Sequence, residues 1–292
     1  MLFSTQTHRP ADKLGLVKAC EMLANAGFPA LDISMFNIAE PPFTDDYKEI
    51  AAELNKIAEK TGVKYIQAHA PFGGGYEKYT KNLVPLMPRA FEFCSLVGIE
   101  NIVVHPIQNG RYYGREKELF DLNVEFYKSL APIAKQYGVK IAIENMWQRH
   151  PKAKYIVDDI LADPRELAAM YDALNDPEAF TVCLDIGHVA LCQREPEDAI
   201  RIIGGERLGA LHVHDVDYLD DLHTLPGCGK INWDSVCRAL AEVGYKGSFN
   251  LEADNFYLGF LGDHFDLCAK FMADATKIYA DKIDEYKAAN AK

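Results

Sequence analysis

Glu144 in KIAIENMW and Asp185 in TVCLDIGH each close a nearly continuous apolar run. Glu252 in SFNLEAD repeats the pattern, and His212 lies in the similar run LGALHVHDVD. A charge in such surroundings costs on the order of several kcal/mol unless it is paired or metal-bound. One such carboxylate is explained by an arginine partner or by capping of the next helix, and one histidine by hydrogen bonding in the core. Three carboxylates and an imidazole at corresponding places in separate runs point further. If the runs are neighbouring parallel strands of a closed barrel, the four side chains converge at its carboxyl-terminal mouth with the composition of a divalent metal site. A cation is needed there, because three ionised carboxylates repel one another in a low-dielectric cavity. The donor set is mostly hard and oxygen-rich, so one Mn2+ is the first expectation, with Mg2+, Co2+, Zn2+ and Fe2+ left open.

Positioning these residues calls for a regular scaffold. Short β-rich runs alternate with helical patterns. The strand segments are 2–6, 30–35, 65–70, 101–105, 140–145, 181–185, 208–214 and 248–252. Helical patterns cover 11–26, 45–60, 81–97, 115–137, 163–173, 196–203 and 234–243, and a last helix runs from about 266 to about 288 and is expected to pack on the barrel. Gly27, Gly62, Gly98, Gly138 and Gly244 fall between a helix and the next strand, where a left-handed C-cap belongs. Eight β-then-α units predict a single (β/α)8 TIM barrel spanning 1–292 as one domain; a doubly wound sheet would want a glycine-rich first turn, which is missing. The long loops follow strands three, four, five and seven and are expected to shape a substrate pocket.

The bulk properties narrow the function. With 43 acidic against 31 basic residues, the net charge of -12 disfavours nucleic acid and anionic membrane as partners. The seven cysteines are scattered and lack a C-x-x-C pair, which argues for reduced packing residues over a disulfide framework. No signal-like amino terminus or long apolar span is present, so a cytoplasmic protein is expected.

The runs QAHAP, VVHP, IENMW, LDIGH, LHVHD, DLHTLPGCGKINW and LEAD, in this order across nearly the whole chain, resemble the xylose-isomerase-like superfamily. That superfamily comprises sugar phosphate isomerases and epimerases and also the endonuclease IV type of apurinic-site nucleases. The resemblance to its ketose 3-epimerase branch implies that Glu144, Asp185, His212 and Glu252 hold one divalent metal. It implies a sugar or sugar phosphate as substrate, with the metal polarising the carbonyl and stabilising an enediolate while one glutamate removes a proton and the other returns it on the opposite face. Glu144 and Glu252 are therefore the expected catalytic pair. Two opposed groups favour epimerisation over a one-sided aldose–ketose shift.

His69, His105, His188, His214, His223 and Trp147 are expected to line the mouth and contact substrate, Trp147 by offering a flat apolar face. Core packing explains Trp147 equally, and a hydrogen bond to a ligand carboxylate explains His188. Arg149, His150 and Lys230 are within reach of a substrate phosphate or are plain solvated charges, and the Gly73–Gly75 run matches no phosphate fingerprint. The competing reading is a trinuclear zinc nuclease: His69, His105, His188, Asp221 and His223 fill the extra metal positions that the endonuclease IV resemblance implies. A polyol or keto-inositol dehydratase and a catalytically idle binding barrel are further alternatives. A homo-oligomer paired through loops and outer helices would use the last helix, with Tyr279 and Tyr286.

Overall fold

All eight apolar segments form strands in the computed structural model, which describes residues 1–73, 75–260 and 264–290. In chain order the strands are β1 (Phe3–Gln6), β2 (Ala30–Ser34), β3 (Lys64–His69), β4 (Asn101–Val104), β5 (Lys140–Glu144), β6 (Trp147–Arg149), β7 (Ile156–Asp158), β8 (Phe180–Asp185), β9 (Leu208–His212) and β10 (Phe249–Leu251). The strands β6 and β7 pair with each other as a hairpin. The other eight are parallel in the order β10-β1-β2-β3-β4-β5-β8-β9. The ring closes at Val213, whose N–H donates to Asn250 O (2.9 Å) and whose carbonyl accepts from Glu252 N (2.9 Å). This is a single (β/α)8 barrel. Its strands are covered on the outside by helices, which is why they read as continuous apolar runs rather than alternating ones.

Residues two apart on a strand share a face. Ala142, Cys183 and Ala210 therefore point inward one layer beneath Glu144, Asp185 and His212, and with Val103 they form a small buried cluster of their own. Directly above this layer of short side chains, the strand ends present the polar groups. Each of the five inter-element glycines has positive φ, as the left-handed caps require.

Helix boundaries differ from expectation where backbone chemistry intervenes. The first helix divides into His8–Leu14 and Leu16–Ala26, because Gly15 sits at φ 79°, ψ 153°, a conformation reserved for glycine. The helix expected over 81–97 is regular only over Met87–Val97. Pro85 removes a backbone donor just upstream, and 79–86 are wound as π and 3-10 turns. The last helix, Phe265–Asn290, lays Cys268, Met272, Thr276, Ala280 and Ile283 against the body of the protein. Gly74 of the Gly73–Gly75 run lies outside the described residues. Among the described residues no helix is long and apolar enough to cross a membrane. All seven cysteines are free, and Cys228 alone is exposed.

Candidate metal centre

Glu144, Asp185 and His212 are the last residues of β5, β8 and β9, and Glu252 directly follows β10. These are four consecutive strands of the eight, so the pleat and the stagger between strands, with Glu144 opposite Cys183 and Asp185 opposite His212, deliver four side chains to one half of the mouth. One donor atom from each of the four lies within 4.8 Å of every other, and all four residues are buried. His212 Nδ1 is 2.6 Å from Glu144 Oε1 and 3.2 Å from Glu252 Oε2. Gln6, at the end of β1, donates to Glu252 Oε1 at 2.7 Å and fixes that carboxyl from the far side.

Two further clusters adjoin this one and share its carboxylates. On one flank His105 Nε2 lies 2.9 Å and His69 Nε2 3.7 Å from Glu144 Oε2, and the two imidazoles are 3.1 Å apart. On the other flank His214 Nε2 is 3.1 Å from Asp185 Oδ1, and His188, His214, Asp221 and His223 form a second group able to surround an ion. His214 stacks on His223 with centroids 4.1 Å apart, and His223 Nε2 is 3.1 Å from Asp221 Oδ2.

Local packing explains why these loops hold still. Ile186–Leu191 is a short helix beginning right after β8, with Asp185 Oδ1 accepting from His188 N at 2.7 Å as its N-cap. Gly187 in its first turn faces the His214 ring so closely that a methyl there would lie 2.1 Å from Cε1. Gly187→Ala is therefore expected to destabilise by about 1–3 kcal/mol through overpacking. A crystal structure of the variant should show the His214 ring displaced from Asp185, and an unmoved ring would contradict this contact. The loop after β9 is organised by Asp215, which is fully buried. Its carboxylate accepts from Val216 N, Gly227 N, Ile231 N and Trp233 Nε1 at 2.8–3.2 Å. The glycines of the PGCG segment are thus explained without a phosphate: Gly227 is left-handed at φ 92°, and a methyl on Gly229 would sit 2.3 Å from Asp215 Oδ1.

Burial disfavours each charge in the mouth, and neighbours decide the outcome. Burial pushes the Glu144 carboxyl up, but the His212 and His105 imidazoles outweigh it and hold Glu144 well below the usual range. For Glu252 burial prevails over His212 and His223, and the carboxyl is raised well above its ordinary value. Asp185 is depressed, because His188 and His214 overcome its burial. His105 is lowered to about 4 by burial, against the pull of Glu144. Asp185 Oδ2, His214 Nδ1 and Asp221 Oδ1 are buried without a hydrogen-bond partner. Orphaned polar atoms of this kind cost about 1–3 kcal/mol each. A divalent cation fits the donor set, since it would pair with these lone pairs and relieve the repulsion among the carboxylates.

The remaining expected residues fall around the rim. Trp147 is half-buried, its ring 6.3 Å from His188 and edge-on to it, while the Arg149 guanidinium lies 5.6 Å from the Trp147 centroid. Arg149 also pairs with Asp220 (3.4 Å), and His150 stacks on Tyr155, so both serve the β6–β7 hairpin. Phe36 and Phe72 pack on His69, and Phe72 also packs on His105, making an apolar lip on that flank. Reading the sequence missed Gln6, Asp32, Asp215 and the pair His8–Asp254 (2.6 Å). The available signal was a polar residue inside or just after an otherwise apolar strand.

The profile of the xylose isomerase-like TIM barrel family matches residues 20–284, and the chain belongs to that family. A D-psicose 3-epimerase from Ruminiclostridium cellulolyticum is 25% identical over 242 residues, covering 80% of this chain and 76% of the relative. Among solved structures, a D-tagatose 3-epimerase-like protein superposes with a TM-score of 0.75 at 22% identity, covering 98% of this chain and 99% of the other. The IolI protein crystallised with a bound zinc atom gives a TM-score of 0.74 at 19% identity, covering 98% and 99% of the two chains. The structural matches establish the fold.

Proposed function

We propose that this member of the family is a divalent-cation-dependent epimerase or isomerase of a sugar or sugar phosphate, acting at Glu144, Asp185, His212 and Glu252. The observation that carries this reading is the convergence of these four buried side chains within 4.8 Å. The names of the epimerase relatives support the reaction class, and the zinc in the IolI structure supports metal binding by a protein of this fold. Such a cation, when bound, polarises a carbonyl and acidifies the adjacent C–H.

The chain's own groups do the rest. Glu144 and Glu252 enter from strands three places apart around the barrel. One takes the proton from the carbon next to the carbonyl and the other delivers a proton to its opposite face, which inverts the centre. Gln6 orients the Glu252 carboxyl, and His105 orients Glu144. His188, His214 and His223 hold substrate hydroxyls on the Asp185 side, with Trp147 against the carbon chain.

The test is a metal titration of chelator-stripped protein followed by incubation with a panel of ketoses in D2O. Expected are one tightly bound cation per chain, deuterium incorporation that depends on it, and a gain of about 2.7 kcal/mol in stability at a hundredfold excess over Kd. No cation-dependent exchange with any ketose would refute the proposal. The group His188, His214, Asp221 and His223 supports a second reading, in which additional ions bind beside Asp185. Two or three tightly held zinc ions with cleavage of abasic-site DNA would establish the nuclease alternative.

A further inference from the structure

The interior of this barrel is not wholly aliphatic beneath the candidate metal centre. On the β10–β1–β2–β3 side a chain of polar side chains climbs toward His212, all of it buried. Ser4 Oγ lies 2.8 Å from Ser248 Oγ and donates to Asn250 Oδ1 at 2.7 Å. Asn250 Nδ2 and Gln67 Nε2 donate to the same oxygen of Asp32, Oδ2, at 2.7 and 2.8 Å. The next polar atom upward is His212 Nε2, 3.7 Å from Asp32 Oδ2. That distance is too long for a hydrogen bond. His212 Nε2 and Asp32 Oδ1 are both buried with no partner. The opposite ring nitrogen, Nδ1, already faces Glu144 and Glu252.

We infer that Asp32 is the positioning residue of the metal centre: it accepts a hydrogen bond from His212 Nε2–H, fixes the tautomer that leaves Nδ1 free for a cation, and holds the ring in place. This rests on the proposed cation site and deepens it. A small rotation of either side chain closes the gap and gives the orphaned His212 Nε2 a partner. The Gln67 and Asn250 amides act as struts, spending their N–H groups on one carboxyl oxygen and so fixing the plane of the other. Carboxylates that orient a metal-binding imidazole in this way change cation affinity by about 10–100-fold when removed. Asp32 is fully buried beneath the mouth, so its effect runs through His212.

The experiment is calorimetric titration of Mn2+ into chelator-stripped wild type, Asp32→Asn and Ser4→Ala. Asp32→Asn is near isosteric and keeps an acceptor for the two struts, but it loses the charge assistance of the bond to His212. Its Kd should rise about 10–100-fold, while Ser4→Ala, at the far end of the same chain of bonds, should bind within about twofold of wild type by the additivity of distant sites. Equal affinity of Asp32→Asn and wild type would overturn the role of Asp32, as would an equal loss in Ser4→Ala. Absence of any Mn2+ binding by wild type would instead overturn the cation site itself. A measurement that needs no Asp32 variant covers the case of a misfolded protein. In 15N-labelled wild type loaded with Zn2+, long-range 1H–15N spectra should place the His212 proton on Nε2, the signal being assigned by its loss in His212→Gln. A proton on Nδ1 would overturn the inference.

Discussion

Replacing Glu144 by glutamine is expected to lower cation-dependent ketose turnover by about 1000-fold or more, within the range associated with a lost acid/base group, while the barrel stays folded. Glu144 stands where all three imidazoles of its flank meet: Oε1 faces His212 Nδ1, and Oε2 faces His105 Nε2 and His69 Nε2. His212 and His105 outweigh burial and hold its carboxyl well below the ordinary range, so at neutral pH it is an anion. Glutamine keeps the shape, yet cannot take the proton and offers a cation no charge. The two losses separate in one experiment: saturating Mn2+ restores occupancy of the site but not deuterium exchange. A far-ultraviolet circular dichroism spectrum and urea midpoint near those of wild type should accompany the inactive variant. Full turnover in Glu144→Gln would contradict the proposed acid/base role.

That residue was visible in the sequence for a simple physical reason. A carboxylate that ends a run as apolar as KIAI has no cheap explanation, and four such anomalies at matching places imply one shared cause. Strands and helices were legible by the same route, since eight buried parallel strands must be apolar and the intervening helices must be amphipathic. What was hidden depends on contacts between distant segments. Asp32, at the same register level as Gln6 and Gln67, is a lone acid in ALDIS whose meaning appears only when β9 brings His212 over it. Gly187 carries no signal of its own in the sequence, yet it makes a close approach to a ring 27 residues away. The β6–β7 hairpin has strands of only three residues, too short for a periodic signal. Lys230 was one of the charges set within reach of a phosphate, and the glycines just before it answer to Asp215.

Asp215→Ala is expected to be the most destabilising change near the mouth, by about 3–5 kcal/mol. Three backbone N–H groups and the Trp233 indole converge on its carboxylate. Each donor left buried without a partner costs about 1–3 kcal/mol, and partial hydration of the freed loop brings the total below the simple sum. A protein of this size should then melt on the order of 10 °C lower. The consequence reaches beyond stability, because the loop that Asp215 ties down carries Asp221 and His223, whereas the Glu144, Asp185, His212 and Glu252 donors are held by strands. Asp215→Ala should therefore keep the affinity for one cation per chain and lose any second ion held beside His188 and His214. Thermal unfolding and metal titration of the same preparation measure both effects. If the melting temperature were unchanged, Asp215 would not be the loop's main anchor, and contacts such as Tyr279 Oη to Pro226 O (3.0 Å) and Asn255 N to His223 O (3.1 Å) would have to hold it.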